Sequence, residues 1–166
     1  MAREYIISAA GVTVANQAVS LIFFQVMTSA PIVSIEVLRV AVNQSANATS
    51  AQQRVQFSTQ VSTWPTLTSA TPARTKAGDP VSLITGGTAG AAGTCGVNAS
   101  AEGAGSKTVL LPDAFNVLNG YLWVATPKET FIESPAATAH GFAVVFPTAP
   151  ATLTLWNAYM VYAEIG

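Results

Sequence analysis

A long segment near the N terminus carries no charge: no Asp, Glu, Lys or Arg lies between Glu4 and Glu36. A membrane-spanning helix needs about 20 consecutive, mostly apolar residues. The densest apolar run, Ala18–Val26, is about half that length. Asn16 before it and Pro31 after it would be costly in lipid, where no water satisfies freed polar groups. We therefore expect this segment to lie inside a folded domain and not in a membrane.

A secretory signal is the second interpretation of the same segment. Arg3 followed by an apolar stretch loosely imitates one. However, Glu4 follows Arg3 directly, and Ser8, Gly11 and Thr13 interrupt the stretch. We therefore expect no secretory signal here.

The third interpretation, β-strands, fits best, because β-branched and aromatic residues dominate the segment and suit a pleated surface. Alternation of period two continues beyond it. In RVQFSTQV, Val55 and Phe57 point to one face, whereas Arg54 and Gln56 point to the other. The sequence predicts strands at about residues 3–9, 11–15, 18–26, 32–42, 54–61, 107–112, 120–126, 129–134, 140–147 and 151–164.

The strand pattern predicts the fold class. The alternation slips once, in IVSIEVLRVAV, and this slip predicts a β-bulge near Val37–Arg39. The best helical candidate is LPDAFNVLNG, residues 111–120, for which an irregular loop is an equal alternative. Many short strands separated by Pro and Gly predict an all-β, antiparallel, jelly-roll-like sandwich that forms a single domain over residues 1–166.

The middle of the chain has a different composition. Three prolines punctuate residues 62–80, and GGTAGAAGTCGVNASAEGAG follows at residues 86–105. This composition predicts a long Gly/Ala-rich loop or arm, residues 62–106, inserted between strands. Because ordering so many glycines costs about 1–2 kcal/mol per residue in backbone entropy, we expect an ordered arm to be held by a neighbouring subunit or a shell.

Charge is scarce along the whole chain. Charged residues make up 9% of the sequence, against about 25% in ordinary soluble domains, and the mean hydropathy is +0.42. A protein with so few charges must bury uncharged surface somewhere. Obligate subunit interfaces are more apolar than the rest of a protein surface and are the expected place. The expected partner is therefore a second copy of the chain. The interface candidates are Leu21, Phe23, Phe24, Trp123, Trp156 and Tyr159.

Residues that carry chemistry are also scarce. The net charge is −1 with no basic cluster, which argues against nucleic-acid binding. His140 is the single histidine and the best candidate for a hydrolase site, although a surface histidine is the plainer interpretation. Glu129 and Glu133 are expected to be two solvated carboxylates, and Cys95 a packed or idle thiol. The sequence therefore predicts no enzyme, no catalytic residues, no metal site and no cofactor.

Both ends of the chain show a resemblance. EYIISAAGVTVANQAVSLIFFQV with APIVSIEVLRVAVNQS, and the C-terminal part from YLWVATPKE to YAEIG, resemble a family of small virion proteins of tailed bacteriophages. The resemblance covers roughly residues 4–46 and 113–166. It implies a jelly-roll-like capsid cement or decoration protein on the capsid surface. It also implies a homotrimer that contacts the major capsid protein.

Two functions from different classes follow. The first is a structural virion protein that binds the outer capsid shell as a homo-oligomer and stabilises it. The alternative is a carbohydrate- or receptor-binding β-sandwich module of a phage particle, for which Trp64, Trp123 and Trp156 would offer stacking surfaces.

Overall fold

Alternating apolar residues organise this chain into β-strands throughout. A computed structural model describes residues 3–16, 19–25, 33–46, 49–87, 93–135 and 140–165, and this part of the chain contains no helix. Its strands are β1 (Arg3–Val12), β2 (Val19–Gln25), β3 (Ser34–Gln44), β4 (Gln52–Val61), β5 (Thr66–Ser69), β6 (Ala73–Arg74), β7 (Thr85–Gly86), β8 (Thr94–Ala101), β9 (Ser106–Asn116), β10 (Tyr121–Val124), β11 (Phe131–Glu133), β12 (His140–Phe146) and β13 (Trp156–Ile165).

The strands form two sheets packed face to face. Sheet A has the order β10-β3-β13-β1-β6, with β11 also pairing with β3. Sheet B has the order β5-β8-β2-β12-β4-β9, with β7 beside β8. The main pairs are nested along the chain: β1 with β13, β2 with β12, β3 with β10, and β4 with β9, all antiparallel. This nesting is that of one long hairpin rolled over itself, so the predicted jelly-roll-like sandwich is confirmed.

Aromatic side chains fill the space between the sheets. Phe57 of β4 is fully buried, and its ring is nearly perpendicular to those of Trp123 and Phe131, with ring centroids 5.4 Å and 5.8 Å apart. Trp123 and Phe131 stack on each other at 5.0 Å. Edge-to-face and stacked pairs of this kind add about 0.5–1.5 kcal/mol each beyond the area they bury. The core therefore ties β4 of sheet B to β10 and β11 of sheet A.

The predicted bulge in β3 is confirmed. In the pairing with β13, Val161 lies opposite Arg39, but the next partner of β13, Tyr162, lies opposite Val37, so Leu38 is the extra residue. A bulge shifts the alternation by one position. Val37 is therefore buried in the core while Arg39 is exposed on the other side of sheet A. Arg39 consequently shares its face with Glu36, three residues earlier.

The predicted Gly/Ala-rich arm is wrong for most of its length. Residues 94–101 form β8, which lies inside sheet B between β5 and β2. The small residues serve close packing: a Cβ on Gly96 would lie 2.7 Å from the Cβ of Leu67 in the neighbouring strand. Cys95 and Val97 point into the core. Glycine and alanine here belong to a closely packed strand, whereas the prediction interpreted them as signs of flexibility. Residues 88–92 of the predicted arm lie outside the described part.

The helical candidate at residues 111–120 is also absent. Its first half is the end of β9, paired with β4 as far as Asn116 opposite Gln52. The remainder is a turn in which Asn119 and Gly120 donate backbone hydrogen bonds to the carbonyl of Asn116. Gly120 ends the turn with a φ of 70°, a conformation that glycine adopts without strain.

A strap, defined as residues 61–67, crosses the outer side of sheet B. Trp64 of the strap packs on Phe23 of β2, with ring centroids 5.6 Å apart. The carbonyl of Thr63 accepts hydrogen bonds from the Gln60 side chain at 2.7 Å and from the Gly105 backbone at 3.1 Å. Phe23 is completely buried beneath the strap, together with Ala99, Ala143 and Val145. Leu67, which belongs to the strap, is buried in the same cluster. Other parts of this same chain therefore cover both faces of the uncharged strand β2. This is why both faces can be apolar.

Candidate interaction surface

Sheet A has no strap of this kind among the described strands, and its outer side presents five cross-strand rows. We call this side the outer A face. The rows are Leu122–Ala41–Tyr159–Ser8, Val124–Arg39–Val161–Ile6, Ile132–Glu36–Ala163–Glu4, Ser34–Ile165 and Asn43–Asn157. The first three rows run across the sheet from β10 or β11 through β3 and β13 to β1, and the other two join β3 to β13. The register fixes these neighbours because residues paired across strands point to the same face.

Apolar side chains are most exposed along one edge of the outer A face. Leu122 and Val124 of β10 are 62% and 54% exposed, and Ile132 of β11 is 53% exposed. All three pair with consecutive outward positions of β3, so they form one line. Single exposed apolar residues are normal on soluble proteins, but an aligned group on one face of a sheet indicates a contact surface.

The centre of the outer A face holds little charge. The Arg39 guanidinium lies over the ring of Tyr159, with its central carbon 5.4 Å from the ring centroid. Stacked arginine is weakly hydrated and loses little entropy when a partner covers it. Val161 and Ala163, the outward residues of β13 beside it, are already buried by their neighbours. A partner would therefore meet a surface with one cation, Arg39, beside one anion, Glu36, and with a second anion, Glu4, on the β1 side.

The interface candidates from the sequence occupy several environments. Leu21 and Trp156 are fully buried in the core between the sheets, and Phe23 is fully buried beneath the strap. Trp123 is half-buried and faces inward against Phe57 and Phe131.

Tyr159 and Phe24 complete the set. Tyr159 is half-buried, and its ring lies on the outer A face. The side chain of Phe24 lies outside the described part, although its backbone pairs with Phe142. Contact of any of the six with a second subunit stays a prediction.

The prediction from sequence missed Leu122, Val124 and Ile132. The signal was present in YLWV and FIE, where apolar residues occupy both alternating faces. A strand of this kind buries one apolar face in the core, and its second apolar face remains exposed. The prediction named only the bulkier residue, Trp123, which the fold uses internally.

The three tryptophans do not form one stacking platform. Trp123 and Trp156 lie between the sheets, and the indole nitrogen of Trp156 donates to the Thr152 carbonyl at 2.8 Å. Trp64 belongs to the strap and lies on the outer side of sheet B. A sugar ring stacks on an exposed aromatic face, and these three side chains do not share one.

The two carboxylates expected to be solvated differ in environment, and the expectation is wrong for Glu133. Glu133 points inward beside Ile35, is 5% exposed, and burial raises the pKa of its carboxyl to about 7. Glu129 is exposed and accepts a hydrogen bond from the Thr126 hydroxyl at 3.1 Å.

A second buried acid, Glu164, lies across Ile35 from Glu133. It accepts hydrogen bonds from the Ser82 hydroxyl at 2.6 Å and from the Leu83 amide at 2.8 Å. These bonds attach residues 82–84 to the end of β13. Glu164 therefore has hydrogen-bond partners that explain its burial. The Glu133 carboxyl has no ion pair among the described residues.

The single cysteine is packed, as predicted. The Cys95 thiol donates to the Ala70 carbonyl at 3.0 Å, and burial raises its pKa to about 12. Within the described ranges, no three His, Cys, Asp or Glu side chains come together as a metal site would require. His140 pairs through its backbone with Val61, and its side chain lies outside the described part. No helix in the described part is long and apolar enough to cross a membrane.

Comparison with known proteins finds no matching family model, no matching curated protein and no matching solved structure.

Proposed function

We propose that this chain is a structural virion protein, a cement or decoration protein that binds the outer shell of a tailed-bacteriophage capsid as a homo-oligomer. The outer A face carries the proposal, because it combines exposed Leu122, Val124 and Ile132 with very little charge. Two further points support it. The jelly roll recurs in viral capsid proteins, and the ends of the chain resemble virion proteins of this kind.

The outer A face would serve association between copies of the chain. A homo-oligomer presents the same shell-binding surface several times, and multivalent attachment raises avidity without any new contact. A protein that binds only the assembled shell stabilises that state by mass action. The proposed partners are therefore the chain itself and the major capsid protein.

The test is attachment to purified capsids together with a variant of the outer A face. Val124→Lys places a charge in the apolar line, and Leu118→Lys is the matched control, since Leu118 is 51% exposed in the turn after β9. We expect the wild type and the Leu118 variant to co-sediment with capsids and to stabilise them against heat. The Val124 variant should attach at least about tenfold more weakly, because it loses the association between copies.

Circular dichroism of each variant separates loss of attachment from loss of folding. Equal attachment of both variants would show that the outer A face plays no part. No attachment of the wild type would contradict the capsid role itself.

The alternative, a carbohydrate- or receptor-binding module, has a direct test of its own. We expect no binding on a glycan array, because Trp64, Trp123 and Trp156 are not displayed on one surface. Saturable binding to a glycan would favour the alternative.

A further inference from the structure

The bulge in β3 gives the outer A face a particular charge arrangement. Arg39 and Glu36 both point outward because Leu38 is the extra residue between them. They occupy neighbouring rows, with Val161 beside Arg39 and Ala163 beside Glu36. The centre of the face therefore carries one positive and one negative group, each flanked by a small or branched apolar residue.

A face that packs on a copy of itself makes a two-fold contact, in which every pair of residues occurs twice. Consider a two-fold axis that lies in the interface, crosses the strands and passes between the rows of Arg39 and Glu36. It places Arg39 opposite Glu36 of the second copy, and Val161 opposite Ala163 of the second copy. At the edge of the sheet it brings Val124 towards Ile132 of the second copy. At the centre of the contact opposite charges meet and apolar residues meet, whereas on the β1 side Glu4 lies opposite Ile6 of the second copy.

We propose that a second copy of this chain packs on the outer A face about such an axis, with two reciprocal Arg39–Glu36 ion pairs between the copies. The inference rests on the homo-oligomer of the proposed function and specifies its contact. A partner carrying a single sign of charge would complement only one of the two groups, whereas a second copy complements both. The second copy is therefore the occupant that the charge pattern favours.

The size of the face is compatible with this contact. Four strands spaced about 4.8 Å apart and a β3 length of about 33 Å give a planar area of about 600 Å² per copy. A stable interface buries about 800 Å² per partner, and crystal contacts mostly bury less than half of that. Aligned sheets also pack about 10 Å apart with a crossing angle near 30°, so the reciprocal pairs form best at the centre, where β3 lies.

Charge reversal provides a test that only a reciprocal contact passes. Glu36→Arg leaves two arginines facing two arginines, and Arg39→Glu leaves two glutamates facing two glutamates. Each variant alone should therefore associate at least about tenfold more weakly than the wild type in sedimentation velocity. A mixture of the two variants restores both ion pairs and should form a heterodimer. The double variant Glu36→Arg/Arg39→Glu should again associate with itself.

Arg54→Glu, a reversal at an exposed position of β4 in sheet B, should leave association unchanged. If a reversal fails to fold, Glu36→Gln and Arg39→Gln replace it; each should weaken association, and their mixture should not restore it. Three outcomes would overturn the proposal. They are association as strong as that of the wild type in either single reversal variant, a mixture of the two variants that stays monomeric, and a trimer whose association is insensitive to both charges. Capsid attachment, measured separately on the wild type, would remain standing in each case.

Discussion

Neutralising Glu133 should stabilise the folded protein, and should do so more at high pH than at low pH. The carboxyl of Glu133 faces the core beside Ile35 and is almost completely removed from solvent. Burial penalises the charged form and raises the pKa from 4.5 to about 7. Glu133→Gln keeps the shape of the side chain but never carries a charge.

The sign follows from proton binding. Between pH 4.5 and about 7 the folded protein holds the Glu133 proton more tightly than the unfolded chain does. Stability is therefore greatest below the unfolded pKa, falls as pH rises through about 7, and is constant above that. The difference between 4.5 and about 7, at about 1.4 kcal/mol per pH unit, amounts to about 3 kcal/mol at pH 8. At pH 5 the same linkage leaves about 1 kcal/mol.

The measurement is the free energy of unfolding of both proteins at pH 5 and pH 8, from urea titration followed by circular dichroism. The advantage of Glu133→Gln over the wild type should grow by about 2–3 kcal/mol between these two pH values. In thermal scans the growth corresponds to about 4–12 °C in Tm for a chain of this length. Glu129→Gln, at an exposed acid preceding the same strand, is the control and should show no such growth. Parallel pH profiles for the wild type and Glu133→Gln would refute the reasoning.

Three further predictions concern sheet B and its strap. Trp64→Ala uncovers Phe23 and should destabilise the fold by about 2–3 kcal/mol, less than for a fully buried tryptophan; an unchanged urea midpoint would show that the strap does not protect sheet B. Cys95 should react with iodoacetamide at pH 8 very slowly in the native protein and quickly in urea, since its thiol is buried with a pKa of about 12; rapid native labelling would contradict this packing. Deletion of residues 87–104 removes β8 and should abolish the cooperative thermal transition, whereas a free arm would leave the transition intact.

Outside residues 62–106, the sequence alone determined where most of the strands lie. Period-two alternation located β1 to β4 and most of the C-terminal strands within a few residues. It also located the bulge in β3, because a slip of one position changes the face of every residue that follows. The absence of charge across β2 correctly indicated that this segment lies inside a folded domain. These features are local: each depends only on neighbours in the chain and on the geometry of a pleated strand.

The tertiary structure decided what each face meets. Both faces of YLWV are apolar, so its alternation does not reveal whether Trp123 or Leu122 faces the core. Only the pairing of β10 with β3 turns Trp123 inward. The Gly/Ala-rich stretch around Gly96 reads equally as a flexible arm or a crowded strand, and the close approach of β5 makes it a strand. The burial of Glu133 follows from its place beside β3 and not from its own neighbours in sequence. The nested pairs join residues far apart in the chain, so their partners, and the outer A face they leave exposed, exist only once the two sheets have formed.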